Sequence, residues 1–302
     1  ISELQLQDLL RNLRYQLHND YYNIAQFLNS RNLVTAQLAR LTNLQTAMEA
    51  QLKAGNISQK DYLRVQALVI GLQQDLAQAD RSLVLAEEDL KMLLMLGGNT
   101  FVKPNITESN TAMALPTNVD TLIQTARQNN AFYLLQQAQH LYSLQNITYQ
   151  KALAVPDVTL GPEFDKNSNY TPNYVGFAIG LPLPFWNRNQ GNIKAAEFTA
   201  SQQRTQVTAA ALQLQSNVSA AYQRLLLIYN VNNNTQKEFY NNYKNLFNNV
   251  VQSYQQRQIS LLEFLDFADS YQQSLSRFLE QQNNLQLAKE ELNYQVGTIV
   301  IK

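Results

Sequence analysis

The stretch SLLEFLDF, Ser260 to Phe267, carries two carboxylates three residues apart. At that spacing Glu263 and Asp266 share one face of a helix. Such a pair concentrates negative charge on that face. The same pair equally serves as an ordinary solvated helix face. The rest of the chain offers little reactive chemistry. It holds no cysteine, so disulfides and thiolate reactions are excluded. Its two histidines, His18 and His140, lie far apart in sequence and make no metal set. A Gly-rich phosphate loop, a Cys nucleophile and a His–carboxylate cluster at motif spacing are all missing. The reading is a non-enzyme with no cofactor and no metal site. Met92 and Met95 are soft donors of the copper-binding type, but flexible thioethers at helical spacing read as filling of a helix seam.

Lys plus Arg and Asp plus Glu balance at 23 each, so nucleic acid is not an implied partner. Hydrophobic residues make up 45% of the 302 and charged ones only 15%. The longest apolar runs fall far short of the ~18 residues of a membrane helix.

The elements that position Glu263 and Asp266 are long helices. Residues 1–53 read as one helix, with AGNIS (Ala54 to Ser58) as a Gly-containing turn. A second helix runs from about Gln59 to Leu96 and stops at Gly97-Gly98. After a loop over 99–115, Pro116 and Asn118 open a helix reaching about Ala154. From about Asn189 a further helix runs to Arg257, roughly 100 Å at 1.5 Å per residue. Gln258, Ile259 and Ser260 turn the chain, and a last helix runs to about Val296. The second half repeats the first at an offset of 202. Ile57-Ser58 falls on Ile259-Ser260, Asp61 on Glu263, and LAEEDL (Leu85 to Leu90) on LAKEEL (Leu287 to Leu292). Apolar residues recur every seven positions in both copies: Tyr62, Val69, Leu76, Leu83, Leu90, and Phe264, Tyr271, Phe278, Leu285, Leu292. That period implies left-handed coiled-coil packing.

Between the repeats the periodicity changes from helical to alternating. In Val158 to Phe164, and again in Val175 to Leu181, large apolar residues alternate with small or polar ones. Each strand is about ten residues long, with Asp165 to Pro172 between them and Tyr170, Tyr174 and Trp186 near the ends. A transmembrane barrel strand needs ~9–11 residues, an apolar lipid face and aromatic girdles, and both strands fit. Pro182 and Pro184 end the second strand, because proline cannot donate to a ladder. The segment Asn187 to Gly191 then turns the chain into the next helix.

Two repeats of long-helix pairs with a barrel hairpin entering the second resemble the TolC-type outer membrane factors of Gram-negative bacteria. The segment LPLPFWNRNQGNIKAAE (Leu181 to Glu197) is similar to the strand-to-helix junction of that family, most closely its heavy-metal cation efflux branch. The fold class implied is mainly α with a small β part: a two-repeat α-barrel protomer of long coiled-coil helices plus a transmembrane β-barrel hairpin. Its parts are 1–98, the first-repeat helical hairpin; 99–154, a loop and equatorial helix; 155–186, the outer membrane β-hairpin; and 187–302, the second-repeat helical hairpin. Such proteins have two barrel hairpins per protomer, so the first hairpin and its preceding helix are expected upstream of Ile1.

The resemblance implies a homotrimer in the outer membrane, extending into the periplasm, that acts as a passive exit duct. Its cargo would be cations or small toxic compounds. A periplasmic adaptor (membrane fusion protein) and an inner-membrane pump of RND type would complete a tripartite machine, with outer membrane lipid around the barrel. Glu263 and Asp266 match the acidic ring at the family's narrowest point, six carboxylates in a trimer. Tyr254 and Asp61 match a Tyr–Asp link that holds the closed state. Arg257 matches a family arginine only loosely, two positions early. The turns Gly55-Asn56-Ile57-Ser58 and Gln258-Ile259-Ser260 would meet the adaptor's tips, with Ser58 and Ser260 as N-caps. Pro182, Pro184, Trp186 and Gly191 mark the strand-to-helix junction. The competing reading is a non-membrane coiled-coil scaffold or periplasmic adaptor, which explains the heptads but not two alternating strands between the repeats.

Overall fold

The computed structural model describes residues 1–105, 115–116, 118–166, 169, 171–182, 186, 188–231 and 234–301, excluding the side chains of 234–237, 241 and 244. Among the described residues seven helices and two strands follow in the order α1 (Ser2–Lys53), α2 (Gln59–Leu93), α3 (Val119–Asn129), α4 (Ala131–Ala152), β1 (Thr159–Asp165), β2 (Tyr174–Gly180), α5 (Gln190–Val231), α6 (Asn234–Gln255) and α7 (Leu261–Val296). Among the described residues no helix is long and apolar enough to cross a membrane.

The chain divides into two compact units. One comprises residues 1–7 and 130–215, the other 8–129 and 216–302. The second unit holds most of the long-helix packing. Its core gathers Val34, Leu41, Leu44 and Met48 of α1, Val65, Val69 and Leu72 of α2, and Phe264 of α7. It continues through Phe247 of α6 and Ala268, Tyr271 and Leu275 of α7. Every member of both seven-residue stripes is buried or half-buried, as a seam between helices requires.

The stripe on α7 has a matching stripe on α6. Tyr254 stacks on Phe264 with ring centroids 5.0 Å apart, Phe247 lies 4.5 Å from Tyr271, and Tyr240 stacks on Phe278 at 4.2 Å. Moving seven residues down one helix while moving seven up the other keeps each pair in register, so the two helices run antiparallel with an aromatic rung every second turn. At an offset of 202 the first repeat has Leu52, Gln45 and Leu38 at the positions of Tyr254, Phe247 and Tyr240, and Tyr62, Val69 and Leu76 at those of Phe264, Tyr271 and Phe278. The architecture is duplicated, and the rungs are aromatic in only one copy.

Several expected boundaries move. The helix expected over 116–154 is two helices. Asn118 starts α3 by accepting from Asp120 N–H at 2.8 Å, and Asn130 restarts the chain as the N-cap of α4, accepting from Tyr133 N–H at 3.1 Å. An asparagine side chain that bonds its own downstream amide competes with helix continuation. The α2 helix stops at Leu93 rather than Leu96 because Met95 turns left-handed at φ 53°, with Leu96 N–H bonding back to Lys91 O. Met92 and Met95 are therefore not seam fillers: they are 66% and 94% exposed. The helix expected from 189 to 257 is described as α5 and α6, with 232–233 outside the described residues. The last helix matches its expected span.

In the other unit, α4 buries Tyr133 and Leu135, and α5 buries Ala196, Ala200, Ala210 and Leu214. Here β1 and β2 form a two-stranded antiparallel sheet. Each strand has seven residues rather than ten, since pairing stops at Thr159↔Gly180 and at Asp165↔Tyr174. Asn173, left-handed at φ 58°, turns the chain into β2, its N–H bonding Lys166 O at 3.3 Å. Tyr170, expected at the strand ends, lies outside the described residues.

Candidate functional site: two repeat turns and an apolar hairpin

The two turns joining the long helices are built alike. In the first, Gly55 N–H bonds Leu52 O and Asn56 N–H bonds Gln51 O, both at 2.9 Å. In the second, Arg257 N–H bonds Tyr254 O at 2.9 Å and Gln258 N–H bonds Ser253 O at 2.8 Å. These are paired Schellman closures, which need a left-handed residue just past the helix end. Gly55 supplies it at φ 74° and Arg257 at φ 57°. Arg257 is thus the turn-former of the second repeat, a geometric reason for its position unconnected with charge.

Each turn is followed by the same cap. Ser58 Oγ accepts from Asp61 N–H at 3.1 Å and donates to Asp61 Oδ2 at 2.8 Å. Ser260 Oγ accepts from Glu263 N–H at 3.3 Å and donates to Glu263 Oε2 at 2.8 Å; the Ser260 N–H reaches the same oxygen at 2.7 Å. The second turn is a complete capping box. Glu263 is exposed, and the backbone and hydroxyl hydrogen bonds from Ser260 hold its carboxyl below the usual range. The Ser-x-x-acid pattern in both SQKD and SLLE was the sequence signal for this pairing.

The two turns meet at one end of the core. Ile57 and Ile259 both pack against the cluster around Met48, Val65 and Phe264, as does Tyr254. Gly55, Asn56, Ser58, Gln258 and Ser260 stay exposed, so the tips present a polar surface over an apolar base. Tyr254 and Asp61 share this end. The Tyr254 hydroxyl lies 3.8 Å from Met48 Sδ while Asp61 is engaged by Ser58. Burial, and then the Asp61 charge, push the Tyr254 phenol above its ordinary value. Asp266 is exposed one turn beyond Glu263, and its charge adds to burial in raising the Tyr243 phenol.

The hairpin presents two unlike faces. Direct partners Leu160↔Ile179, Pro162↔Phe177 and Phe164↔Val175 share one face. Thr159↔Gly180, Gly161↔Ala178, Glu163↔Gly176 and Asp165↔Tyr174 share the other, where the Tyr174 ring lies over Gly176. On the apolar face Leu160, Phe164, Val175, Phe177 and Ile179 are each more than 60% exposed. A contiguous patch of this kind on water is unfavourable and marks a surface made for contact. At the junction, Pro182 and Gly191 are exposed, Trp186 is 94% exposed, and Pro184 lies outside the described residues. The residue that organises this turn is one sequence reasoning passed over. Asn189, left-handed at φ 58°, donates its amide to Gln150 O at 2.8 Å and to Gln150 Oε1 at 3.0 Å, tying the start of α5 to α4. Among the described residues no three His, Cys, Asp or Glu gather as a metal set.

No family model matches the chain, and no curated protein matches it in sequence. Solved structures match its fold. A structure of CusC, from work on folding and transmembrane channel formation, superposes with a TM-score of 0.79 at 17% identity, covering 98% of this chain and 70% of that one. The outer membrane protein VceC of Vibrio cholerae gives 0.75 at 17% identity, covering 98% and 72%. The open-state MtrE outer membrane channel of Neisseria gonorrhoeae gives 0.74 at 15% identity, covering 98% and 68%. Helices and hairpin together thus have the fold of outer membrane channel chains, of which this chain spans about two thirds to seven tenths.

Proposed function

We propose that this chain is part of a protomer of a passive exit duct in the outer membrane of a Gram-negative bacterium, within the TolC-type family. Three copies close the duct, with the hairpin contributing to a β-barrel in the bilayer and the long helices lining a periplasmic tunnel. A periplasmic adaptor engages the tips at Gly55 to Ser58 and Gln258 to Ser260, and an inner-membrane pump of RND type supplies the energy. The cargo is cations or small toxic compounds, and the Leu181 to Glu197 junction favours the heavy-metal branch. The duct does no covalent chemistry.

The observation that carries this reading is the hairpin. Its one face is wholly apolar and exposed, and its other face carries small, polar and acidic residues with one ring, Tyr174, lying over Gly176, a division that suits a lipid-facing and a lumen-facing side. The helical fold shared with solved outer membrane channels supports it. Closure into a barrel would give each strand edge a partner, as a bilayer demands.

Glu263 and Asp266 are the proposed gate. Both are exposed near the second turn, and in a trimer they form a ring of negative charge that favours cations. The test is planar-bilayer conductance of the detergent-purified protein, wild type against the Glu263→Ala/Asp266→Ala double variant. A cation-selective conductance that loses its preference in the variant is the expected result. Absence of a channel from a folded trimer overturns the duct; unchanged selectivity overturns the gate alone.

A further inference from the structure

A cavity inside the 8–129/216–302 unit holds polar atoms with no hydrogen-bond partner among the described residues. Gln37 of α1 is 2% exposed, yet neither its Oε1 nor its Nε2 has a hydrogen-bond partner. Gln272 Oε1 of α7 is also buried and unpartnered. Both side chains line the same cavity, about 240 Å³ in volume, between α1, α2, α6 and α7. Native proteins rarely leave a buried amide unpaired, and such groups are met by water or by a ligand.

The remaining lining narrows the chemistry. Asp75 of α2 and Asp269 of α7 line the cavity and are exposed, so they stand on its solvent side. Leu41, Leu72 and Phe247 give it apolar walls. No described cationic residue is part of the lining; Arg40 lies over the Phe247 ring, its Cζ 5.6 Å from the centroid. Gly71 opens the α2 wall: a Cβ added there would meet nothing within 4 Å. Glycine is a poor residue for a helix interior, and here its smallness leaves room rather than permitting a turn.

Hydrogen-bond accounting then selects a ligand class. The carboxylates call for a cation with N–H donors. The apolar walls and the Phe247 ring suit a short alkyl chain and an ammonium ion. Gln37, whichever way its amide is turned, offers N–H donors as well as an acceptor oxygen, and Gln272 Oε1 stands unpartnered beside it; a hydroxyl can both accept and donate here, whereas a second buried ammonium can only donate. We propose that this cavity binds a short aliphatic amino alcohol, its ammonium held by Asp75 and Asp269 and its hydroxyl accepting from Gln37 Nε2 while donating to Gln272 Oε1. This site does not depend on the duct reading.

The experiment is calorimetric titration of the detergent-purified full chain with 4-amino-1-butanol. Saturable one-to-one binding is expected, with 1-butylamine and 1,4-butanediol each at least tenfold weaker. Gly71→Leu fills the cavity and abolishes binding without lowering the thermal midpoint, because leucine is the better helix former. Gln37→Leu weakens binding at least tenfold. No binding to the wild type overturns the proposal and leaves a water-filled cavity. Equal binding of 1-butylamine, or binding that survives Gly71→Leu, overturns it as well.

Discussion

Gly55 and Arg257, 202 residues apart, occupy the same left-handed position in equivalent turns, with the same pair of backbone hydrogen bonds closing each helix. One residue adopts φ > 0 freely; the other carries a Cβ that resists it.

That asymmetry predicts opposite mutational signs. An L-residue in this region costs about 1–2 kcal/mol, partly offset by the ~0.5–1 kcal/mol of extra unfolded-state freedom that glycine brings. Arg257→Gly should therefore stabilise by about 0.5–1 kcal/mol, and Gly55→Ala should destabilise by about 1 kcal/mol. Thermal unfolding of the two single variants checks this. A fall in the midpoint for Arg257→Gly would mean that the guanidinium makes contacts worth more than the strain.

The caps give a second prediction. Ser58→Ala removes the hydroxyl that accepts from Asp61 N–H, at a cost of about 1 kcal/mol by denaturant titration. At the second turn the effect depends on pH. Glu263 has a lowered pKa because Ser260 bonds its charged form. A depressed folded pKa contributes stability above the unfolded glutamate value of 4.5, and that contribution is lost as pH falls through the lower folded value. Glu263→Gln should thus be less stable than wild type at pH 7 and converge with it at acid pH. A stability gap that stays constant with pH would remove the carboxylate from the cap.

The aromatic rungs should carry unequal weight. Phe247 and Tyr271 are each 1% exposed, so Phe247→Ala should cost about 3–5 kcal/mol through lost burial and a cavity. A double-mutant cycle of Phe247→Leu and Tyr271→Leu should give a coupling of about 0.5–1.5 kcal/mol. Tyr240 and Phe278 sit in a less buried rung, and Phe278→Ala should cost less. Additive behaviour of the Phe247 and Tyr271 variants would mean that the rings are held by the surrounding core rather than by each other.

The hairpin makes a face-specific prediction. Phe177 lies on the apolar face and its neighbour Ala178 on the other. Arginine on a lipid-facing barrel strand costs about 2–4 kcal/mol near the bilayer midplane. Phe177→Arg should shift the protein out of the outer membrane fraction, while Ala178→Ser should leave it in place. Equal retention of both variants would show that the apolar face does not meet lipid.

Much of this molecule was legible locally. The seven-residue stripes named the buried faces of α2 and α7, because a helix exposes its periodicity in any context. The alternation over 158–164 and 175–181 named the two faces of the hairpin for the same reason. Ser58 and Ser260 announced helix starts, since a cap needs only its own next turn. Short-range competition hid three other features. Asn130 divides α3 from α4 through one side-chain hydrogen bond, and Met95 ends α2 ahead of the glycines by taking a conformation its type seldom adopts. Arg257 does the work of a glycine, which only the match with Gly55 reveals.

The tertiary structure alone decided what opposes what. A stripe states that Phe264, Tyr271 and Phe278 are inward; it does not state that Tyr254, Phe247 and Tyr240 meet them. It also gives no sign that Gln37, polar and unremarkable in sequence, ends in a cavity with no partner. Side-chain period follows from the geometry of one helix, whereas pairing and voids follow from several helices packed together, and no single segment encodes them.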